Sequence, residues 1–142
     1  MAALPAELLA ETSAAAEPVR ATLDLYGRRG FHPPWIGYLG FEDENCVGVC
    51  GFASPPVGGE AEIAYFTFPG NEGRGVATRM ATELIRITRP VVVGTITYIA
   101  HTLPQEGAST AILRKLGFAL VGTIDHPEDG AVWKWREAGK AF

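Results

Sequence analysis

The chain has 142 residues, of which 47% are hydrophobic and 20% charged, a composition too apolar for disorder and sufficient for one core without disulfide or metal staples. A net charge of -4 with scattered basic residues excludes a general nucleic-acid binder, which needs a cationic face. No run approaches the roughly 20 apolar residues of a membrane span, so a small molecule or a protein is the expected partner.

The opening, Met1 to Arg20, is alanine-rich but lacks a basic start, and Glu7 and Glu11 interrupt its apolar stretch. On those grounds no secretory signal and a cytoplasmic location are expected. Leu4 to Ala16 has helix-forming composition, and a second short helix is predicted over Pro18 to Tyr26, broken by Gly27 and Gly30. Arg28 to Pro34 reads as a loop. Trp35 to Phe41 and Cys46 to Phe52 are predicted strands around the turn Glu42-Asp43-Glu44-Asn45. Cys46 and Cys50 lie four positions apart in one strand, about 13 Å between Cα atoms, too far for a disulfide. They lack partners at metal-ligand spacing and read as small apolar residues in a reducing environment; no metal is expected.

The turn residues Ser54 to Gly59 deliver the chain into a third strand, Glu62 to Phe68. After Pro69-Gly70 the period changes. Val76, Met80 and Leu84 form one row and Ala77, Ala81 and Ile85 the adjacent one, as on a core-facing helix stopped by Pro90. Val91 to Ala100 is apolar on both faces and reads as a central strand, parallel to the third. Ala108, Ile112 and Leu116 mark another helix, ended by Gly117. Ala119 to Ile124 and Ala131 to Trp135 close the chain as strands around His126-Pro127-Glu128-Asp129-Gly130. A single domain, 1-142, is expected.

The segment between the third strand and its helix, Gly70-Asn71-Glu72-Gly73-Arg74-Gly75-Val76-Ala77-Thr78, carries the chemical signal. Gly73 and Gly75 permit close backbone approach, and the amides from Gly73 to Thr78 are the unpaired donors of a helix N-terminus, suited to a pyrophosphate. Arg74 adds positive charge. A P-loop is excluded, since the sole Gly-Lys, Gly139-Lys140, is followed by Ala141. A dinucleotide fingerprint needs a glycine where Thr78 stands and an acid about 20 positions on, and Val91 to Ala100 holds none.

The stretch Glu72-Gly73-Arg74-Gly75-Val76-Ala77 resembles the cofactor loop of the GNAT superfamily of N-acetyltransferases, Gln/Arg-x-x-Gly-x-Gly/Ala, with Glu72 at the Gln/Arg position. His101 to Ser109 followed by Leu113-Arg114-Lys115-Leu116-Gly117-Phe118 resembles the branch that acetylates ribosomal-protein N-termini, with Glu106 where that branch commonly has Asn. The family's frequent general-acid Tyr falls at Leu113. The resemblance implies an α/β fold: a mixed, mainly antiparallel sheet, a parallel strand pair that splays, and helices on both faces. It also implies acetyl-coenzyme A as cosubstrate, its pyrophosphate on Gly73 to Thr78 and its pantetheine arm against the backbone of Phe66, Thr67 and Phe68. The acceptor is then an amine on a small molecule or a protein, bound by a monomer or homodimer.

Transfer needs a neutral amine, so a base is useful. Glutamates at the equivalent place in histone-acetylating relatives point to Glu62, with Glu60 equally available nearby. The resemblance assigns the oxyanion to a strand amide, that of Phe66, and the departing thiolate or the cofactor to Ser109; Ser109 also fits as an ordinary first-turn helix residue. Phe31, His32 and Trp35 fall where this fold builds its acceptor wall. His101 fits either polar machinery or a buried structural histidine. A non-catalytic acyl-CoA sensor and a structural domain without cofactor are the competing readings.

Overall fold

The computed structural model describes residues 2–3, 13–91 and 94–138. In chain order they form β1 (Ala2–Ala3), α1 (Ser13–Arg29), β2 (Gly37–Glu42), β3 (Asn45–Phe52), β4 (Glu60–Thr67), α2 (Val76–Thr88), a 3-10 turn (Arg89–Val91), β5 (Thr97–Thr102), α3 (Ala108–Lys115), β6 (Phe118–His126) and β7 (Gly130–Glu137). The seven strands make one sheet in the order β1-β2-β3-β4-β5-β7-β6. Every neighbouring pair is antiparallel except β4 and β5.

That parallel pair positions the site. Its register runs Glu60 with Thr97, Ala61 with Tyr98 and Glu62 with Ile99, and pairing stops there. Beyond Glu62, β4 continues against β3 alone through Thr67, while β5 continues against β7. The two strands therefore part at their C-terminal ends, as the resemblance implies.

Alternate side chains point to opposite faces of a sheet, and the helices divide accordingly. A Cβ built on Gly40 or Gly48 would meet Met80 of α2, so those glycines make room for α2 on one face. Leu23 of α1 packs with Leu39, Val49 and Phe68 on the other. The α2 rows expected from the sequence hold, with Val76, Ala77, Met80, Ala81 and Leu84 all buried. At its far end Thr88 donates to the Leu84 carbonyl and shares a 2.8 Å hydrogen bond with the Tyr98 hydroxyl of β5, a polar link fully inside the core.

Two expectations are corrected. The helix breaks at Gly30 and not at Gly27: α1 runs on to Arg29, and the Gly30 N–H bonds to the Tyr26 carbonyl at 2.7 Å with φ 86. One helical glycine costs about 1 kcal/mol, which is offset because the turn holds buried Tyr26, whose hydroxyl accepts from Gly37 N–H at 3.0 Å. The predicted helix over Leu4 to Ala16 lies largely outside the described residues; its last four positions belong to α1. The strand expected from Val91 starts at Thr97, where the N–H meets the Gly59 carbonyl at 2.8 Å, and Val91 is the end of the 3-10 turn; Val92 and Val93 lie outside the described residues. The helix expected from the row Ala108, Ile112, Leu116 is α3: Thr110 and Leu113 are its buried positions, Leu116 packs against the core, and Ala108 and Ile112 line the groove between the parted strands.

Candidate active site

The groove opened by the parted strands has a volume of about 490 Å³ and is walled by β4 (Tyr65, Phe66, Thr67), the loop and first turn of α2, and α3. Gly75 is the N-cap of α2 at φ 76, with no side chain closing the helix end. The first-turn amides of a 13-residue helix therefore face the groove with their partial positive charge available to an anion. Glu72 turns inward on its own loop, accepting from Gly70 N–H at 2.7 Å. It thus shapes the loop in place of the family's Gln or Arg.

Among the residues expected to hold the cofactor, Phe66, Thr67, Gly73, Gly75, Val76, Ala77, Thr78 and Ser109 line this groove. Phe68 and Arg74 do not. Phe68 is 2% exposed and packs with Leu23, Leu39, Cys46 and Val49, because strand alternation sends its side chain to the α1 face. Arg74 is drawn away by Glu42, at 2.9 Å, and by Asn71, at 2.7 Å. Asn71, Ala108, Ile112 and Lys115 also line the groove. The sequence predicts α3 as a helix without the direction of its row, so Ala108, Ile112 and Lys115 were not among the expected lining residues.

The backbone phase corrects the oxyanion assignment. Phe68 N–H bonds to the Val47 carbonyl at 2.9 Å, and Phe66 pairs with Val49. Hydrogen-bonded pairs alternate along an antiparallel ladder, so the Phe66 N–H points into β3. The amides of Tyr65 and Thr67 face the gap where β5 has departed. Tyr65 is also the groove's phenol: burial pushes its pKa up to about 12, and it donates to the Ser109 carbonyl at 3.3 Å. Leu113, the position of the family's Tyr, is fully buried.

Ala108 and Ser109 also line a second hollow of about 390 Å³, together with His101, Thr102 and the loop Leu103 to Gly107. Ser109 is exposed in the first turn of α3, where the two hollows meet. Glu62 and His101 lie on the opposite side of the sheet from Tyr65, with His101 Nδ1 2.9 Å from Glu62 Oε2. Glu60 is committed elsewhere, to Lys134 at 2.9 Å and Arg136 at 2.7 Å. Hydrogen bonds from Arg136 and Lys134 hold its carboxyl below the ordinary range. Of the two acids, Glu62 alone is left at the point of separation. Phe31, His32 and Trp35 sit apart from both hollows: Phe31 is edge-on to Tyr26, His32 bonds to the Arg29 carbonyl, and Trp35 packs edge-on to Phe52.

A mixed α/β fold with its sheet split between parallel strands, and an uncapped helix N-terminus facing the split, is the class this site defines. Residues 8–119 match the family model described as an acetyltransferase (GNAT) domain, and the chain belongs to that family. No curated protein matches the chain by sequence. Among solved structures it is similar to an acetyl transferase from Salmonella typhimurium that modifies the N-terminal serine of the 50S ribosomal subunit protein L7/L12, at 20% identity and a TM-score of 0.66, covering 87% of this chain and 73% of that one. A ribosomal L7/L12 alpha-N-protein acetyltransferase in complex with coenzyme A matches at 21% identity and TM-score 0.65, over 84% of this chain and 68% of the other. The ribosomal-protein-alanine N-acetyltransferase from Brucella melitensis matches at 22% and 0.62, over 91% and 82%. At these identities the likeness is one of fold. No described helix is long and apolar enough to cross a membrane.

Proposed function

We propose that the domain transfers an acetyl group from acetyl-coenzyme A to a primary amine by direct attack in a ternary complex. The observation that carries this is the end of β4–β5 pairing at Glu62 and Ile99, which leaves strand amides on one side of a groove and a bare helix N-terminus on the other. The pyrophosphate sits on the amides from Gly73 to Thr78, with Lys115 the nearby cation. The pantetheine arm bonds to β4 backbone at Tyr65 and Thr67, and the thioester reaches the parting of the strands.

The acceptor enters from the other face, where Glu62 stands. The amine nitrogen attacks the thioester carbonyl, its proton passes to the Glu62 carboxylate through a water, and the oxyanion is held by a gap-facing amide of β4. Collapse breaks the C–S bond. The thiolate leaves toward the hydroxyls of Ser109 and Tyr65. An N-terminal α-amine, with a pKa near 7.7 to 8.0, is neutral far more often at pH 7 than a lysine, and the L7/L12 acetyltransferases of the same fold act on such amines by their names. The acceptor class follows as a peptide or protein amine, in the cytoplasm.

The test is Glu62→Gln, which keeps the shape and removes the proton acceptor. Turnover should fall by about 10² to 10⁴ while cofactor affinity persists. The deficit should shrink as pH rises and the amine deprotonates unaided. Equal rates for the variant and the parent at neutral pH would take Glu62 out of the mechanism.

A further inference from the structure

Glu62, His101 and His126 come from β4, β5 and β6, and one ligand atom from each lies within 4.8 Å of the others. We infer that these three side chains form a binding site for a divalent transition metal of the zinc type, set directly on the proposed base. Positions 62, 101 and 126 have no motif spacing, and it is the sheet that brings them together.

The geometry around His101 is the strongest support. Both ring nitrogens are buried and neither has a hydrogen-bond partner among the described residues, although Nδ1 lies 2.9 Å from Glu62 Oε2. The contact is close but misaligned. Buried polar groups are nearly always bonded, and an exception calls for a missing partner. Two ligands of one ion show this pattern, because their lone pairs converge on a third point instead of on each other.

His126 supplies the third donor. Its ring stands edge-on to His101 at 5.1 Å between centroids and 69° between planes. On the β6–β7 turn His126 Nδ1 lies 3.5 Å from the Asp129 carboxylate and 3.2 Å from the Glu128 nitrogen; the tautomer with the proton on Nδ1, facing Asp129, leaves the Nε2 lone pair for the ion. Contacts of this kind from behind a ligand fix its orientation. Lys134, the neighbour of His101 across β7, is engaged by Glu60 at 2.9 Å, so its charge is offset at the site.

Two imidazoles and one carboxylate suit Zn²⁺ or Co²⁺ with an open position, and lack the oxygen donors that Ca²⁺ and Mg²⁺ require. Metal–ligand bonds of about 2.0–2.1 Å need donors about 3.3 Å apart, a closure within reach of side-chain rotation. A bound ion would occupy the Glu62 carboxylate and block proton transfer. This inhibitory consequence, unlike the site itself, rests on the proposed role of Glu62 as base.

The experiment uses chelator-treated full-length protein titrated with Co²⁺, followed by visible d–d absorption, and with Zn²⁺ against a chromophoric chelator. One equivalent should bind in roughly the micromolar range or tighter, and His126→Ala and His101→Gln should each weaken binding by at least about 10–100-fold, with thermal melts confirming that both variants fold. Acetyl transfer by the parent protein should be inhibited by Zn²⁺ over the same concentrations, and the ratio of rates with and without Zn²⁺ should approach one in His126→Ala. Failure of the parent protein to bind either ion at about 100 µM, or unaltered binding in folded His126→Ala, would overturn the site. Binding with transfer unaffected would support the site and remove Glu62 from the base role.

Discussion

Glu106 shows how a single departure from a family pattern is absorbed. It stands where relatives commonly have Asn, and it folds back onto α3 to pair with Arg114, with 2.8 Å from Oε2 to Nη2, and to accept from Thr110 at 2.9 Å. Arg114 in turn lies over the Trp135 ring at 5.0 Å. Hydrogen bonds from Arg114, then Thr110, pull the Glu106 carboxyl down to about 2 from an ordinary 4.5. A carboxyl depressed by folding contributes stability that is complete above its unfolded pKa and disappears as pH falls through the folded one. Stability should therefore decline between about pH 4.5 and 2, and Glu106→Gln should flatten part of that decline in acid melts. Because the pair is exposed, added salt should reduce the difference. Glu60, depressed by Arg136 and Lys134, contributes with the same sign and keeps some of the slope in the variant. An acid profile unchanged by Glu106→Gln would show that the pair contributes nothing to folding. Cys50 marks the opposite case: burial pushes its thiol up to about 12, in keeping with the apolar role read from the sequence.

At the scale of elements, α2 was the most legible part of the chain, because two adjacent apolar rows at helical spacing have only one burial solution. The α3 helix was legible as a helix, but not in the direction its row faces. Its row Ala108 and Ile112 faces the groove, and apolar periodicity does not distinguish a core from a hollow that takes an apolar arm. The start of β5 was misplaced for a similar reason: Val91 to Val93 look like a strand, but the parallel ladder with β4 sets the boundary at Thr97. The α2 N-terminus yields a direct prediction. Gly75 holds φ 76 at the helix start, where any side chain costs about 1–2 kcal/mol in backbone strain. Gly75→Glu should lower the melting temperature modestly and also place bulk and negative charge at the pyrophosphate position. Its acetyl-CoA affinity should fall by well over the roughly tenfold that 1.4 kcal/mol represents, while Gly75→Ala should keep most of it. Calorimetric titration of both variants checks this, and parental affinity in Gly75→Glu would contradict the loop assignment.

For the whole molecule, the family and the order of helices and strands were legible because turn residues, period and a glycine-rich helix start are local, and the splayed pair followed from the family resemblance. What depends on strands meeting across the sheet was not legible. The sequence left Glu60 and Glu62 equal, and it took Lys134 and Arg136 of β7 to separate them. It chose the Phe66 amide, whereas the ladder phase turns that N–H into β3 and leaves those of Tyr65 and Thr67 facing the gap. It had no means of joining His126 to Glu62. It also grouped Phe31, His32 and Trp35 into a wall, whereas the structure places them around Tyr26, Arg29 and Phe52, away from both hollows.

The central claim is that this split sheet holds acetyl-coenzyme A and passes its acetyl group to an amine. The most direct measurement is thiol release from acetyl-CoA in the presence of a panel of peptide α-amines, lysine peptides and small amines, with the acetylated product weighed by mass spectrometry. The account predicts amine-dependent thiol release matched mole for mole by acetylated amine, fastest among α-amines near neutral pH. Acetyl-CoA binding with no amine raising thiol release above background hydrolysis would contradict it, and would identify the domain as a sensor of acyl-CoA.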